Sequence, residues 1–211
     1  MIDIGTLPGK LMSYVQPNGL NNRGQVTGWS YVNHYEDDVP FIWDKGAMTG
    51  IADLFAGPQG INNPGQVVGV GLAWMGGVPG LHAFLFTDGN MVFLPDPGDL
   101  GWASDINSRG TIVGFALKSG DSGIPARYLP LLWQDGAFQQ LPALPVWPDQ
   151  VATGIGNAGN EAGEIAGASG GWYTVGSDPP TLVSVLRATL WRHGQPVDLG
   201  TLSESDTGSM E

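Results

Sequence analysis

The chain has no cysteine, which excludes disulfides, thiolate nucleophiles and cysteine-ligated metals. Charge is also scarce, at 13% of residues, and with only 3 Lys and 5 Glu the usual formers of exposed helix are nearly missing. No apolar run approaches the roughly 18–20 residues that a membrane-spanning helix needs. The opening Met1-Ile2-Asp3-Ile4-Gly5-Thr6-Leu7 lacks both the cationic start and the apolar core of a signal peptide. Basic residues number 8 against 20 acidic ones, and the net charge of −12 removes the field that phosphate binding requires. Nucleic acid is therefore not an expected partner, and membrane insertion is not expected either.

What is abundant is glycine and proline. The 34 Gly and 16 Pro make up about a quarter of the 211 residues, which argues against long helices, while 42% hydrophobic residues still allow a core. Acidic balance and low lysine suit an exported protein, extracellular or periplasmic, whose leader is absent from this sequence.

The glycines recur at fixed places. One template reads Gly19-Leu20-Asn21-Asn22-Arg23-Gly24-Gln25-Val26-Thr27-Gly28, then Gly60-Ile61-Asn62-Asn63-Pro64-Gly65-Gln66-Val67-Val68-Gly69, then Asp105-Ile106-Asn107-Ser108-Arg109-Gly110-Thr111-Ile112-Val113-Gly114. A looser fourth copy runs from Gly154-Ile155-Gly156-Asn157 to Gly163-Glu164-Ile165-Ala166-Gly167. Their turn glycines Gly24, Gly65, Gly110 and Gly163 stand 41, 45 and 53 residues apart. A second template follows each copy, an apolar run ending in a polar-Gly pair: Phe41 to Gly46, His82 to Gly89, Leu131 to Gly136 and Ala188 to Gly194. Such pairs between apolar runs are strong hairpin signals. A short third piece closes each unit.

Each unit therefore predicts four short antiparallel strands in about 40–50 residues, the size of a propeller blade. The reading is all-β: a β-propeller of four four-stranded antiparallel blades forming a single domain over 1–202, with units at about 8–54, 55–95, 96–142 and 143–202. Ile2-Asp3-Ile4-Gly5-Thr6-Leu7 duplicates Val197-Asp198-Leu199-Gly200-Thr201-Leu202, so one last strand is in excess. We expect strand 2–7 to close the ring by pairing into the fourth blade. The chain is then a monomer, or an edge-strand-mediated dimer if the surplus strand pairs with a neighbour. Residues 203–211 read as a frayed tail.

The Gly-Ile-Asn-Asn-Pro-Gly-Gln-Val-Val-Gly run at 60–69, the His82-Ala83-Phe84 triplet and the Asp-Leu-Gly-Thr-Leu ending at 198–202 resemble the HAF repeat family of bacterial, mostly extracellular proteins. The resemblance spans about residues 2–202. The His-Ala-Phe triplet stands only in the second unit, the others having Val39-Pro40-Phe41, Leu129-Pro130-Leu131 and Arg187-Ala188-Thr189. The resemblance implies a propeller-like fold and export, and it brings no catalytic residues. His82 reads as a packing or hydrogen-bonding residue.

The connections between second and third strands vary most, spanning 18, 20, 22 and 27 residues between the flanking glycines, and variable loops on a rigid scaffold commonly carry function. On that loop face we place Tyr31 and Tyr35, Trp74, Arg127 and Tyr128, and Trp172 and Tyr173. The connections between blades add Trp102 and Trp147. Exposed aromatic side chains of this kind stack on sugars and other flat ligands. Trp43, Trp133 and Trp191 fall in the repeat and read as core, and Trp29 fits either class.

Candidates for chemistry are fewer. His34, Glu36, Asp37 and Asp38 form the one concentrated set that could activate water with or without a metal, or simply a solvated acidic loop. Asn21, Asn62 and Asn107 could ring a channel mouth and offer amide oxygens to a divalent cation such as Ca²⁺, although capping their own turns explains the same repetition. Gly154 to Gly159 and Gly167 to Gly171 match glycine-rich catalytic motifs by letter but lack the helix those motifs require. The leading reading is a secreted module that binds a small molecule or glycan on the aromatic loop face. An ester or phosphoester hydrolase using the propeller mouth is the alternative, and a structural repeat of a larger surface protein is a third.

Overall fold

The computed structural model describes residues 2–200 apart from 33–37, 53–55, 76–77, 98, 121–125, 146–148, 157–163 and 176–180. Sixteen strands and no helix are present among the described residues. The first sheet contains β1 (Met12–Tyr14), β2 (Val26–Tyr31), β3 (Val39–Asp44) and β4 (Ala47–Gly50). The second contains β5 (Ala56–Ile61), β6 (Val67–Met75), β7 (Val78–Thr87) and β8 (Asn90–Phe93). The third contains β9 (Leu100–Ile106), β10 (Ile112–Lys118), β11 (Arg127–Gln134) and β12 (Ala137–Gln140). The fourth contains β13 (Asp149–Ile155), β14 (Ile165–Val175), β15 (Thr181–Arg192) and β16 (Gln195–Asp198). Every sheet is antiparallel and ordered as its strands follow in sequence, giving four blades in a propeller-like arrangement.

The repeated residues explain the repeated geometry. In each unit the third and fourth strands join through two residues with φ between 49° and 93°: Lys45-Gly46, Asp88-Gly89, Asp135-Gly136 and His193-Gly194. Positive φ at both positions defines the type I′ hairpin, whose twist suits paired strands. The glycine in each second strand answers a different need. A Cβ built on Gly28, Gly69, Gly114 or Gly167 would fall onto the backbone oxygen of Tyr14, Gly57, Trp102 or Val151 respectively, so the first strand can approach only a residue without a side chain.

Apolar side chains fill the spaces between successive sheets. Val68, Ala83 and Leu94 of the second pack against Ala103, Ile106, Leu131 and Trp133 of the third. Val113 and Leu141 of the third meet Ala152, Ile155, Ile165 and Trp191 of the fourth. Trp133 and Trp191 are each 1% exposed, and each donates its indole N–H to the carbonyl of a proline just past the preceding sheet, Pro95 at 2.6 Å and Pro142 at 2.8 Å. Trp43 is half-buried. Near the axis the inner chain of the first sheet reaches across to the third, where Asn18 Nδ2 lies 3.5 Å from the Ser104 carbonyl.

The expected pairing of residues 2–7 with the fourth blade is not formed. The outer strand of that sheet is β16, from the C-terminal copy of the duplicated segment, and residues 2–7 carry no strand. The reason is local. Gly5 and Gly9 adopt φ of 75° and 78°, Asp3 Oδ1 accepts the Gly5 N–H, and Lys10 N–H bonds the Leu7 carbonyl, so the segment bends. Leu7 is buried on the first sheet and donates its N–H to Ser30 Oγ at 3.1 Å.

Candidate functional site

The structure places several sequence-selected residues on strands where loops were expected. Trp102 belongs to β9 rather than to a connection between blades. Arg127 and Tyr128 open β11, Tyr31 ends β2, Trp74 stands near the end of β6, and Trp172 and Tyr173 lie in β14 opposite Ser184 and Val183. The second and third strands of the blades simply continue pairing beyond the repeat, as hairpins of unequal length. Gly and Pro residues such as Gly71 and Pro79 suggest a loop there but sit inside the ladder. His34, Tyr35, Glu36, Asp37 and Trp147 lie outside the described residues, and Asp38 is buried.

At one end of the third sheet these strands bring aromatic rings together. Trp102 on β9 pairs with Phe115 on β10, and their rings stack at 6.0 Å with an interplanar angle of 6°. Phe115 in turn meets Tyr128 on β11 edge to face at 5.6 Å. The three rings thus form a row across three strands, with Trp102 and Phe115 half-buried and Tyr128 43% exposed. Phe115 was not among the sequence candidates. The signal was present, since Phe115 follows the repeat glycine Gly114 just as Trp29 follows Gly28. Trp29 packs in the equivalent place in the first sheet, its ring 5.0 Å from that of Tyr14 and tilted by 37°.

Polar groups stand at the same end of the sheet on its other face, since side chains alternate along each strand. Lys118 is opposite Arg127, and Asp99 joins the edge through its N–H to the Leu117 carbonyl. Asp99 Oδ2 accepts the Ser119 N–H at 2.8 Å. Its carboxyl is held below the usual carboxylate range by hydrogen bonds from the side chain and backbone of Ser119, with Lys118 adding to the effect. The row itself offers apolar ring faces and, at Tyr128, a hydroxyl, and can hold a ligand that is apolar on one face and hydroxylated at its edge. Trp74, 73% exposed opposite Pro79, is a separate aromatic surface on the second sheet.

The other candidates resolve as architecture. Asn21 and Asn107 each accept two backbone N–H groups on Oδ1 at 3.0 Å, from Arg23 and Gln25 and from Arg109 and Thr111, and Asn62 accepts that of Gln66. The amide oxygens that a Ca²⁺ ion would need are therefore engaged in capping turns. Their Nδ2 groups tie blade to blade, Asn21 to the Asn62 carbonyl and Asn62 to the Asn107 carbonyl, at 2.8 and 3.0 Å. Among the described residues no three His, Asp or Glu side chains converge as a metal site would require. His82, buried on β7, hydrogen-bonds Asp96 through Nδ1 at 3.0 Å. Gly80 and Gly101 make room for the pair, since a Cβ on Gly80 would lie 2.9 Å from His82 Nε2 and one on Gly101 2.5 Å from Asp96 Oδ2.

Comparison with protein-family models, with curated proteins and with solved structures gives no match to this chain.

Proposed function

We propose that the chain is a secreted, non-enzymatic binding module, export being what the HAF repeat resemblance implies, and that its ligand is a glycan stacked on the third sheet. The stacked row of Trp102, Phe115 and Tyr128 carries this reading. Sugar rings present a C–H face that packs on indole and phenol rings, while their hydroxyls need charged and polar partners at the edge. The Tyr128 hydroxyl supplies one such partner within the row, while Asp99, Lys118 and Arg127 stand at the same end of the sheet on its other face. Preorganisation by cross-strand stacking keeps the rings in place before the ligand arrives, which lowers the ordering cost of binding.

The test is a glycan array followed by calorimetric titration of the best ligand. Trp102→Ala and Tyr128→Ala should each weaken binding by about tenfold or more, the scale of one lost aromatic contact. Trp74→Ala should leave that ligand's affinity unchanged. An array without any bound glycan would sink the carbohydrate reading.

A further inference from the structure

The junction between the first and second sheets departs from the other two. At the same register position, opposite the first residue of the second strand, the blades carry Trp43, Phe86, Trp133 and Trp191. Trp133 and Trp191 are buried and bond the carbonyls of Pro95 and Pro142. At the first junction Phe86 stands in that place, with a smaller ring and no N–H to offer the corresponding Ala52 carbonyl. The aliphatic residue of each outgoing chain tells the same story: Leu94 and Leu141 are 5% and 4% exposed, whereas Ile51, like Phe86 itself, is only partly buried. A groove of about 600 Å³ opens there, lined by Ile42, Asp44, Thr49, Ile51 and Phe86 among others.

Its chemistry is two-ended. Ile42, Ile51 and Phe86 form an apolar wall, and Asp44 sets a carboxylate at the rim. Gln25 Nε2 donates to Asp44 Oδ2 at 3.2 Å and so orients the group. The residues that follow Phe86, Trp133 and Trp191 are Thr87, Gln134 and Arg192, so the acidic side chain coincides with the one junction where Phe replaces Trp. A net charge of −12 further concentrates cations near the surface. We propose that this groove binds a small organic cation with an aromatic body, its charged nitrogen on Asp44 and its ring against Ile42, Ile51 and Phe86.

The test uses the full chain and benzamidine as probe, followed by ligand-observed NMR and calorimetry, with benzamide as the neutral isostere. Benzamidine should bind at least tenfold more tightly than benzamide. Asp44→Asn should erase that difference, and Phe86→Trp, which restores the residue of the other junctions, should remove binding of both. Ala47→Phe, on the exposed side of the same groove, is the second blocking variant should Phe86→Trp fail to fold. Equal binding of the two probes, benzamidine binding unchanged by either blocking variant, or no benzamidine binding would each overturn the proposal.

Discussion

Asp105 of the third sheet accepts the backbone N–H of Ile155 in the fourth on Oδ2 at 3.0 Å, while its Oδ1 accepts the N–H of Ile106 at 2.8 Å. The inner strand of each blade is an edge, so part of its N–H groups face the axis and need partners there. The second sheet solves this differently, Ile61 N–H bonding the Asn18 carbonyl of the first. Asp105 stands where the other units have Gly19, Gly60 and Gly154, and a Cβ on Gly60 would lie 3.2 Å from Asp105 Oδ1. The neighbouring glycine thus leaves room for one carboxylate near the axis.

Replacing Asp105 by Ala strips two N–H groups of their acceptor, and the chain should lose about 1–3 kcal/mol of stability in urea denaturation. The pH dependence has a definite sign. Burial pushes the Asp105 carboxyl above the usual carboxylate range, outweighing the two N–H bonds that act in the other direction. The folded chain therefore holds this proton more tightly than the unfolded one. Its contribution is fully present below the unfolded value near 3.8 and is lost as pH rises through the raised folded value. Relative to Asp105→Asn, which does not titrate there, the native chain should lose advantage as pH increases across that window. A difference that grows with pH would refute the assignment.

The second-strand glycines make a sharper contrast. Gly114→Ala puts a methyl onto the Trp102 carbonyl and should cost more than about 3 kcal/mol or prevent folding, as backbone overlap leaves no flexible partner to yield. Gly57→Ala meets nothing closer than 3.7 Å and should stay within about 0.5 kcal/mol. Thermal melts of the two variants measure the difference directly, and similar melts would contradict it.

The indole bonds between blades allow a third measurement. Trp133→Phe removes the donor to the Pro95 carbonyl and leaves space where the larger ring was, for an expected loss of about 1–3 kcal/mol in equilibrium unfolding. Trp191→Phe should behave alike through Pro142. An unchanged midpoint in both would show that the apolar contacts alone hold the junctions.

Most of the fold was legible because it is written four times. Asn62 to Gly65 and Asp88-Gly89 specify tight turns by backbone conformation, which depends on a few adjacent residues. The candidate site was legible only in part. Trp102 and Tyr128 stood out as aromatics off the repeat, yet Phe115 was hidden inside it, and its stacking depends on cross-strand register that no single segment contains. Asp105 was equally opaque, since its partner Ile155 lies in the next unit. The segment 2–7 misled because its likeness to 197–202 is real, while the bend at Gly5 and the anchoring of Leu7 on Ser30 decide where it lies.

The asparagine ladder gives the last prediction. Asn62 uses both ends of its amide: Oδ1 accepts the Gln66 N–H, and Nδ2 donates to Gln66 Oε1 at 2.7 Å and to the Asn107 carbonyl at 3.0 Å. An aspartate in its place keeps the acceptor but faces two further oxygens with no proton to share. The residue is 3% exposed, so water cannot relieve the repulsion. Asn62→Asp should therefore destabilise the chain by about 2–4 kcal/mol at neutral pH, more than Asn62→Ala, which only leaves groups unpaired. Acid should narrow the gap, because a protonated carboxyl regains a donor for one of the two oxygens. Urea titrations of both variants at neutral and acidic pH would decide it, and an aspartate variant as stable as the alanine one at neutral pH would show that the link between Asn62 and Asn107 does not hold the second and third sheets together.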